Sequence, residues 1–530
     1  MRYRIALTSA IVVVVLGWLG AIAGPGWDPL PMTATIEVES PQTAIGPLRP
    51  VGTYQVRSEV VTVDLAGAEV RAQITEPVDA PQGRPGVVFV HGAGTGLFTR
   101  AFRAQAEALA SAGIVTMVPD KRLDTYTTRS RTYVAMANDY LRSLEVLRQW
   151  PGVDPDGVGV YGESEGCWIV PIMAADNARV AFTVLVAAPV VPPRQQAAFA
   201  VDSYLRATGV PVEILRTIPR VVGMEFPGGG FAYADFDVSP FQQRMRQPLL
   251  LVYGTGDAAM PTVQGARQVI EDLDLAGNPD WTVRYYEGAD HGIRVDGRVS
   301  DAFLDDLSAW VLGLPATGDA APKIAGAEPS QRFLAGPVER PRWFAEGSII
   351  VAVLVLIGVS LLAGPLTMLG RRLRGRHEKG LAEGVLLPLT VMSVSAAASF
   401  VLFVVYLLVV ANLAQNYRTN ALVVSGGWLA VRVLALLSVV AGVVLAFGVV
   451  DGRRRAGRPG ALTQAGRFCL AGSLLGSGLL LVMLAYWNVF PALVPSIWCS
   501  VPATPACDRT VTGRAGGTYH LIEGTSAGKT

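Results

Sequence analysis

Five long runs of apolar residues interrupt an otherwise mixed pattern of polar and apolar positions along the chain. They cover residues 5–24, 349–369, 385–411, 426–450 and 468–490, and Arg432 is the one charged residue within them. A helix needs about 20 apolar residues to cross a hydrocarbon core. A soluble helix of this length ordinarily keeps a polar face. The pattern therefore predicts five membrane-spanning helices.

The basic residues between these runs predict the orientation of the helices. Arginines and lysines cluster after the second run and after the fourth run, whereas the loop 412–425 contains only Arg418. Cytoplasmic loops carry an excess of Lys and Arg. We therefore expect both basic loops in the cytoplasm, and residues 27–342 together with the tail after residue 490 outside it. The expected location is the cell membrane, with several passes.

The two ends of the chain leave further questions. The first run follows Arg2 and Arg4 and contains Ala21-Ile22-Ala23, so it is either a retained signal anchor, which we favour, or a cleaved signal peptide. Cys499 and Cys507 lie in the predicted outer tail, where an oxidising compartment favours a disulfide between them. Cys469, at the start of the last run, is expected to be a packing residue.

A different pattern, with short β-branched runs alternating with amphipathic stretches, occupies the segment between the first and second spans. An antiparallel strand pair is predicted at 56–63 and 68–75. Further strands are predicted at 86–90, 114–118, 158–161, 182–186, 249–253 and 281–286, and helices at 102–112, 132–149, 165–175, 263–273 and 300–312. This alternation predicts a mostly parallel sheet with helices on both faces.

These patterns divide the chain into six regions. They are the anchor or signal peptide at 1–26, a linker at 27–53, an α/β domain at 54–314, a second linker at 315–347, four transmembrane helices at 348–490 and an extracytoplasmic tail at 491–530. Residues 192–247 interrupt the strand–helix alternation and are interpreted as an inserted cap. The net charge of +1 gives no argument for a nucleic-acid partner, and 16% charged residues is low for a soluble chain.

The clearest chemical motif is Gly162-Glu163-Ser164-Glu165-Gly166, between a predicted strand and a predicted helix. This G-x-S-x-G pattern is typical of a nucleophile elbow, in which a strained turn presents the serine. The glycines are required because a side chain at either position would crowd the adjoining strand or helix. The motif predicts Ser164 as a nucleophile.

A serine nucleophile needs a base, and the base needs an orienting acid. His291, in Asp290-His291-Gly292 after the last strand, is the candidate base. Asp257 follows the strand 249–253 and is the candidate acid. Asp290 competes for this role, although a residue adjacent to the base cannot easily reach the imidazole. The order Ser164, Asp257, His291 is that of a nucleophile-elbow hydrolase.

An oxyanion hole needs two preorganised hydrogen-bond donors. The predicted donors are the backbone N–H of Glu165, directly after the nucleophile, and the backbone N–H of Ala93 in the loop His91-Gly92-Ala93-Gly94. A phosphate-binding loop is the rival interpretation, but the loop lacks Gly-Lys-Ser/Thr and G-x-G-x-x-G. No cofactor or metal is expected.

With Ser164, Asp257, His291 and the His91-Gly92 loop, residues 54–314 resemble the α/β-hydrolase superfamily. The motifs are similar to those of dienelactone-hydrolase-like and prolyl-oligopeptidase-like enzymes. The resemblance implies cleavage of an ester, thioester or amide through an acyl-serine, and it does not extend to the four C-terminal spans. True dienelactone hydrolases often have a cysteine nucleophile, whereas here Cys167 follows inside the helix and is expected to be a core residue.

Other charged residues near the motif have two interpretations each. Glu163 and Glu165 could face substrate, but we expect their side chains to point away from the site. Lys121 and Arg122, after the strand 114–118, could bind an acidic substrate group, but we expect structural ion pairs. Arg432 lies near the outer end of its span, where snorkelling to the headgroups is favoured over a functional role.

The favoured function is a membrane-bound serine hydrolase acting on a small-molecule or lipid ester outside the cytoplasm. An acyltransferase would use the same triad. A transport or partner-binding protein with an idle hydrolase-like domain is a third reading, disfavoured because the spans carry few polar residues. The C-terminal helices leave a homo-oligomer or a protein partner open.

Overall fold

The computed structural model describes residues 1–47, 49–94, 96–127, 129–225, 231–374, 384–415, 418–456 and 464–491. The predicted Cys499–Cys507 bridge, the tail after residue 491 and parts of both basic loops lie outside these residues. His377 and His520 also lie outside them.

A nine-stranded mixed sheet forms the centre of the soluble part, in the order β1-β2-β4-β3-β5-β6-β7-β8-β11. β1 pairs antiparallel with β2 and β2 with β4, and the remaining pairs are parallel. The strands are β1 Val56–Leu65, β2 Ala68–Pro77, β3 Arg84–Val90, β4 Val115–Pro119, β5 Val153–Glu163, β6 Thr183–Val186, β7 Leu249–Gly254, β8 Trp281–Tyr286 and β11 Ile324–Gly326; a separate hairpin joins β9 Arg294–Val295 to β10 Arg298–Val299.

Helices connect the parallel strands and cover the sheet. They are α2 Arg103–Ser111, α3 Tyr133–Arg148, α4 Gly166–Ala174, α9 Thr262–Ala276 and α10 Asp301–Gly313. β4, β6 and β7 are buried along their whole length, which explains their continuous β-branched and aliphatic sequences. Local signals set the helix ends: Ser300 accepts a hydrogen bond from the Phe303 N–H, and Gly277 adopts φ +66 where α9 ends. The predicted sheet and its flanking helices are therefore confirmed.

The cap segment, residues 192–247, contains four helices between β6 and β7. They are α5 Pro193–Ala207, α6 Val212–Leu215, α7 Thr217–Val222 and α8 Ser239–Gln242. Residues 226–230 lie outside the described part of the chain.

Among the residues that the structure describes, five helices are long and apolar enough to cross a membrane. They are α1 Arg2–Ala23, α11 Gly347–Leu373, α12 Leu386–Gln415, α13 Trp428–Ala456 and α14 Gln464–Tyr486. One π-helical turn, Leu422–Gly427, leads into α13. Cys469 is buried within α14 and lies directly against Gly364 of α11, so its expected role as a packing residue is confirmed.

The cap packs against one end of this helical bundle. Ala198, Leu205, Ile214 and Ile218 of the cap share a buried apolar cluster with the ends of several bundle helices, including Trp428, Leu484 and Trp487. The Trp27 indole N–H also donates to Asp202 of α5 at 2.7 Å. The helical bundle and the hydrolase-like domain are therefore in direct contact through the cap.

Two features differ from the sequence expectations. β11 lies in the segment predicted as a linker, yet it pairs with β8. The sequence does not predict this strand because three residues beside a proline-rich stretch are too few to show a strand pattern. Arg432 does not extend freely to the headgroups, because its guanidinium pairs with Glu213 of the cap at 3.1 Å. A contact between residues 219 positions apart leaves no local trace in the sequence.

Candidate active site

Ser164 lies in a strained turn between β5 and α4. Its φ of +55 is unusual for a residue with a side chain, and its N–H donates to the Val186 carbonyl at 3.0 Å. A Cβ at Gly162 would lie 2.9 Å from the Gly166 backbone, and one at Gly166 would lie 2.5 Å from the Val90 carbonyl oxygen. The turn therefore requires both glycines, and its geometry is that of a nucleophile elbow.

Asp257 and His291 are joined by a hydrogen bond of 2.8 Å between the carboxylate and Nδ1. Asp257 follows β7, its other carboxylate oxygen accepts the Ala259 N–H at 2.8 Å, and the side chain is fully buried. His291 is about one-third exposed at its side chain. A backbone hydrogen bond of 3.0 Å from the Gly256 N–H to the Ala289 carbonyl joins the loop after β7 to the loop after β8.

This contact sets the proton affinity of the imidazole. Burial lowers the pKa of His291, but the charge and hydrogen bond of Asp257 outweigh it, so the pKa is raised from its ordinary value of 6.5. Asp290, the competing acid, instead accepts the N–H groups of Gly292 and Arg294 at 2.9 and 3.0 Å. Asp290 therefore accepts hydrogen bonds from its own turn, and Asp257 is the carboxylate that is bonded to the imidazole.

The serine hydroxyl is not yet engaged. Among the described residues, Ser164 Oγ has no hydrogen-bond partner within 3.5 Å. Hydrogen bonds between a nucleophile and its base are often long before substrate binds, so this does not argue against the pairing. The structure thus joins two of the three predicted catalytic residues by a hydrogen bond, and it places the third in the turn after β5, at the same edge of the sheet.

The turn after β3 lies directly against the elbow. A Cβ at Gly92 would lie 3.0 Å from the Glu163 carbonyl oxygen and 3.2 Å from Ser164 Cβ. Ala93, the next residue, is exposed, and Glu165 is buried. The loops that carry both predicted oxyanion donors therefore lie side by side, while the donor roles of Ala93 and Glu165 remain predictions.

The Glu165 side chain enters a buried polar cluster that the sequence only partly indicated. Its carboxylate pairs with Lys121 at 3.1 Å and with Arg131, and it accepts the Tyr126 hydroxyl at 3.0 Å. The expected ion pair of Lys121 is therefore present, and Arg122 pairs with Asp124. Arg131 and Tyr126 were missed, because they lie in a loop whose only signal is its position after β4.

The remaining candidates have structural surroundings. Burial lowers the pKa of His91 to about 4, and its Nε2 hydrogen-bonds the Pro119 carbonyl at 2.7 Å, so this neutral histidine is unsuited to be the base. Burial raises the pKa of the Cys167 thiol well above its ordinary value, and the side chain packs in the core. Within the described ranges, no group of three or more His, Cys, Asp or Glu could hold a metal ion.

Burial is also the largest influence on the pKa of the Glu163 carboxyl. It raises the pKa of the Glu163 carboxyl from its ordinary value, although the charges of His291 and Arg294 oppose the shift. This carboxyl is therefore close enough to the imidazole to influence it, whereas the Glu165 carboxylate is taken up by Lys121 and Arg131.

The sheet order, the cap after β6, the elbow and the Asp257–His291 pair define an α/β-hydrolase domain. Residues 140–296 match the family described as BAAT / Acyl-CoA thioester hydrolase C terminal. This match contains Ser164, Asp257 and His291. No match is found among curated proteins.

Several solved hydrolases resemble part of the chain. The esterase of the archaeon Pyrobaculum calidifontis is 20% identical, with 49% of this chain and 84% of that chain covered and a TM-score of 0.37. The dipeptidyl peptidase 4 of Porphyromonas gingivalis is 19% identical, with 48% of this chain and 35% of that chain covered and a TM-score of 0.35. The Pyrococcus horikoshii acylaminoacyl peptidase is 18% identical, with 49% of this chain and 41% of that chain covered and a TM-score of 0.35. This chain thus spans less than half the length of either peptidase, and nothing about its substrate follows from these similarities.

Proposed function

We propose that this protein is a membrane-bound serine hydrolase that cleaves an ester or thioester through an acyl-serine. The observation that carries the proposal is the 2.8 Å hydrogen bond between Asp257 and His291 Nδ1, made beside an elbow that holds Ser164 at φ +55. A serine, an oriented histidine and a buried carboxylate are the parts that acyl transfer to serine requires.

The proposed reaction has two steps. Ser164 Oγ attacks the carbonyl carbon while its proton passes to His291 Nε2, and the negative oxygen is stabilised by the N–H groups of Glu165 and Ala93. The bond to the leaving alcohol or thiol then breaks as His291 returns the proton to that group. In the second step, water gives a proton to His291 and cleaves the acyl-serine by the reverse sequence. Asp257 stays ionised and stabilises the imidazolium.

The membrane location and orientation are part of the same proposal. Five apolar helices are long enough to span a bilayer. Arg371 and Arg372 lie in the last turn of α11 and Arg374 directly follows it, whereas Arg418 lies in the loop between α12 and α13. The excess of arginine at the end of α11 supports a cytoplasmic location for that end of the helix and an extracytoplasmic hydrolase domain. The proposed substrate is a small-molecule or lipid ester that reaches the enzyme from this side.

The test is covalent labelling of the full-length protein in membranes by a fluorophosphonate, which reacts with activated serines. Wild type should be labelled, whereas Ser164→Ala and His291→Ala should not. The control is Ser58→Ala, which removes an exposed strand serine and should label like wild type. Absence of labelling in folded wild-type protein would reject the proposal in favour of a catalytically idle domain.

A second experiment tests the orientation. An alkaline phosphatase reporter, which is active only outside the cytoplasm, is fused after Gly336, between β11 of the hydrolase domain and α11. A matched fusion is made after Arg374, in the basic loop beyond α11. Activity of the first fusion alone is expected, and activity of the second alone would invert the proposed topology.

A further inference from the structure

Lys121 connects two loops at the carboxyl edge of the sheet. Its ammonium donates to the Gly92 carbonyl at 2.7 Å and to the Glu165 carboxylate at 3.1 Å. Lys121 follows β4, Gly92 follows β3, and Glu165 lies at the start of α4. The Lys121 side chain is 2% exposed, so these contacts are made away from solvent.

The two loops are those that carry the predicted oxyanion donors. Glu165 would supply one N–H itself, and Gly92 directly precedes Ala93, which would supply the other. We infer that Lys121 is a positioning residue that fixes the separation of the two oxyanion donors by holding Gly92 and Glu165 together. This inference rests on the proposed hydrolase function.

The surroundings of Lys121 keep this bridge rigid. The Glu165 carboxylate is also held by Arg131, by the Tyr126 hydroxyl at 3.0 Å and by the Tyr133 hydroxyl at 3.4 Å. The ammonium lies 4.3 Å from the centre of the Tyr126 ring, a cation–π contact. Both partners of the Lys121–Glu165 pair therefore have several contacts that limit their movement.

The net effect of burial and of the neighbouring charges is a lowered pKa for Lys121. Burial lowers the pKa of Lys121, and the neighbouring Glu165 carboxylate opposes this shift while Arg131 adds to it. The buried pair has a clear physical cost, because two charges leave water. A purely structural role could be filled by apolar side chains, whereas a fixed carbonyl-to-carboxylate bridge needs a donor with more than one N–H.

Lysine suits this bridge better than a shorter or neutral residue. Its ammonium has three donors on a compact centre, so it can bond a carbonyl and a carboxylate in different directions. Without it, the Gly92 carbonyl and the Glu165 carboxylate lose a shared partner, and the N–H groups beside them can move apart. Oxyanion donors act only when they already point to where the charge develops.

The experiment compares Lys121→Met and Lys121→Arg in the full-length protein, with p-nitrophenyl butyrate as the ester probe. Methionine keeps an unbranched chain but has no donor, and arginine keeps the charge and several donors. Lys323→Met is the matched control, because Lys323 is a partly exposed lysine that pairs with Asp319 on the far edge of the sheet. Circular dichroism and the thermal unfolding midpoint show whether each variant is folded.

The expected loss is smaller than for removal of an oxyanion donor, which costs about 10²–10³ in kcat. Lys121→Met should lower kcat on the order of 10- to 100-fold with KM changed less than about threefold, and Lys121→Arg should restore part of this loss. A trifluoromethyl ketone, which forms an oxyanion adduct with serine, should lose affinity by the same factor as kcat/KM. Lys323→Met should match wild type.

Two outcomes would overturn the inference. One is a folded Lys121→Met variant with unchanged kcat, and the other is a loss that appears in KM while the ketone binds as before. If Lys121→Met does not fold, Lys121→Gln replaces it, because glutamine is neutral and shorter and cannot hold both groups; a kcat of folded Lys121→Gln equal to that of Lys323→Met would reject a positioning role. Wild type that neither hydrolyses the ester nor reacts with the fluorophosphonate would instead reject the proposed function.

Discussion

The carboxyl edge of the sheet and the membrane-facing side of the cap both bury basic side chains, but they neutralise them differently. At the sheet edge, Lys121 and Arg131 share the Glu165 carboxylate. In the cap, the fully buried Arg220 donates to the carbonyls of Gly20, at 3.0 Å, and Tyr486. Within the described chain, Arg220 has no carboxylate partner.

The partners of Arg220 explain this difference. Gly20 and Tyr486 lie in the last turns of α1 and α14, and the last four carbonyls of a helix have no partner within it. A cation there also interacts favourably with the helix dipole. Burial lowers the pKa of Arg220 to about 10, so the guanidinium remains charged at neutral pH. We therefore expect the charges at the sheet edge to affect catalysis, and Arg220 to stabilise the packing of the cap against the helical bundle.

The largest expected effect lies in the catalytic region. Asp257→Asn keeps the shape of the side chain but no longer favours the correct tautomer of His291 or stabilises its charge. We expect kcat for p-nitrophenyl butyrate to fall by about 10⁴, with little change in the thermal unfolding midpoint.

The matched control for this prediction is Asp290→Asn. Asp290 accepts backbone N–H groups of its own turn and, within the described part of the chain, makes no hydrogen bond with the imidazole, so the loss of activity in Asp290→Asn should be smaller by at least two orders of magnitude. Equal losses for the two variants would mean that the identity of the acid is wrong.

The pH dependence of the same region gives a smaller effect. The base must be neutral to accept the serine proton, and the pKa of His291 is raised above 6.5. Activity should therefore rise with pH through a midpoint above 6.5, with kcat/KM falling about tenfold for each pH unit below it. A profile of kcat/KM from pH 5 to 9 measures this midpoint. A midpoint well below 6.5 would contradict the assigned Asp257–His291 coupling.

A substitution in the cap should have the opposite effect to those at the catalytic residues, because it should lower stability more than activity. Arg220→Met leaves the carbonyls of Gly20 and Tyr486 without their donor, at a cost of about 1–3 kcal/mol for each buried group. The thermal unfolding midpoint in detergent should fall, while the rate of fluorophosphonate labelling below that midpoint should stay within about threefold of wild type.

Arg103→Met provides the comparison for Arg220→Met. Arg103 is 83% exposed at its side chain and, among the described residues, pairs with Glu107 of its own helix alone, so the midpoint should hardly change. If folded Arg220→Met lost labelling altogether, catalysis would depend on how the cap packs against the helical bundle. The proposed separation between the roles of the two regions would then be wrong.

These contrasts also mark what the sequence could predict. Eight of the nine sheet strands are predicted correctly because each is an apolar run, whereas β11 is not. Ser164, Asp257 and His291 are candidates for the same kind of reason, because each is marked by a local pattern: a glycine turn or a position after a strand. Arg131 and the partner of Arg432 were missed because their contacts join distant segments. The Arg131–Glu165 and Arg432–Glu213 pairs span 34 and 219 positions. Such pairs follow from the packing of the fold, which no local pattern encodes.

The smallest expected effect concerns Arg432, which connects the two parts of the molecule. Its guanidinium lies 3.1 Å from Glu213 of the cap, donates to the Val489 carbonyl at 3.0 Å and stacks over Trp428. The Arg432 and Glu213 side chains are 22% and 44% exposed, so solvent screens the pair. An ion pair of this kind contributes about 0.2–1 kcal/mol.

A charge swap separates this pair from the other contacts of Arg432. Arg432→Glu places a carboxylate opposite Glu213 and Glu213→Arg places two cations together, so each should lower the thermal unfolding midpoint. The double variant restores opposite charges and should recover part of the loss, with a coupling energy below about 1 kcal/mol. The Arg340–Glu225 pair, at 3.6 Å on the exposed surface, serves as the control swap and should show less coupling. Strictly additive losses at Arg432 and Glu213 would mean that this ion pair does not form in the membrane. The arginine would then lie at the headgroups, as the sequence alone suggested.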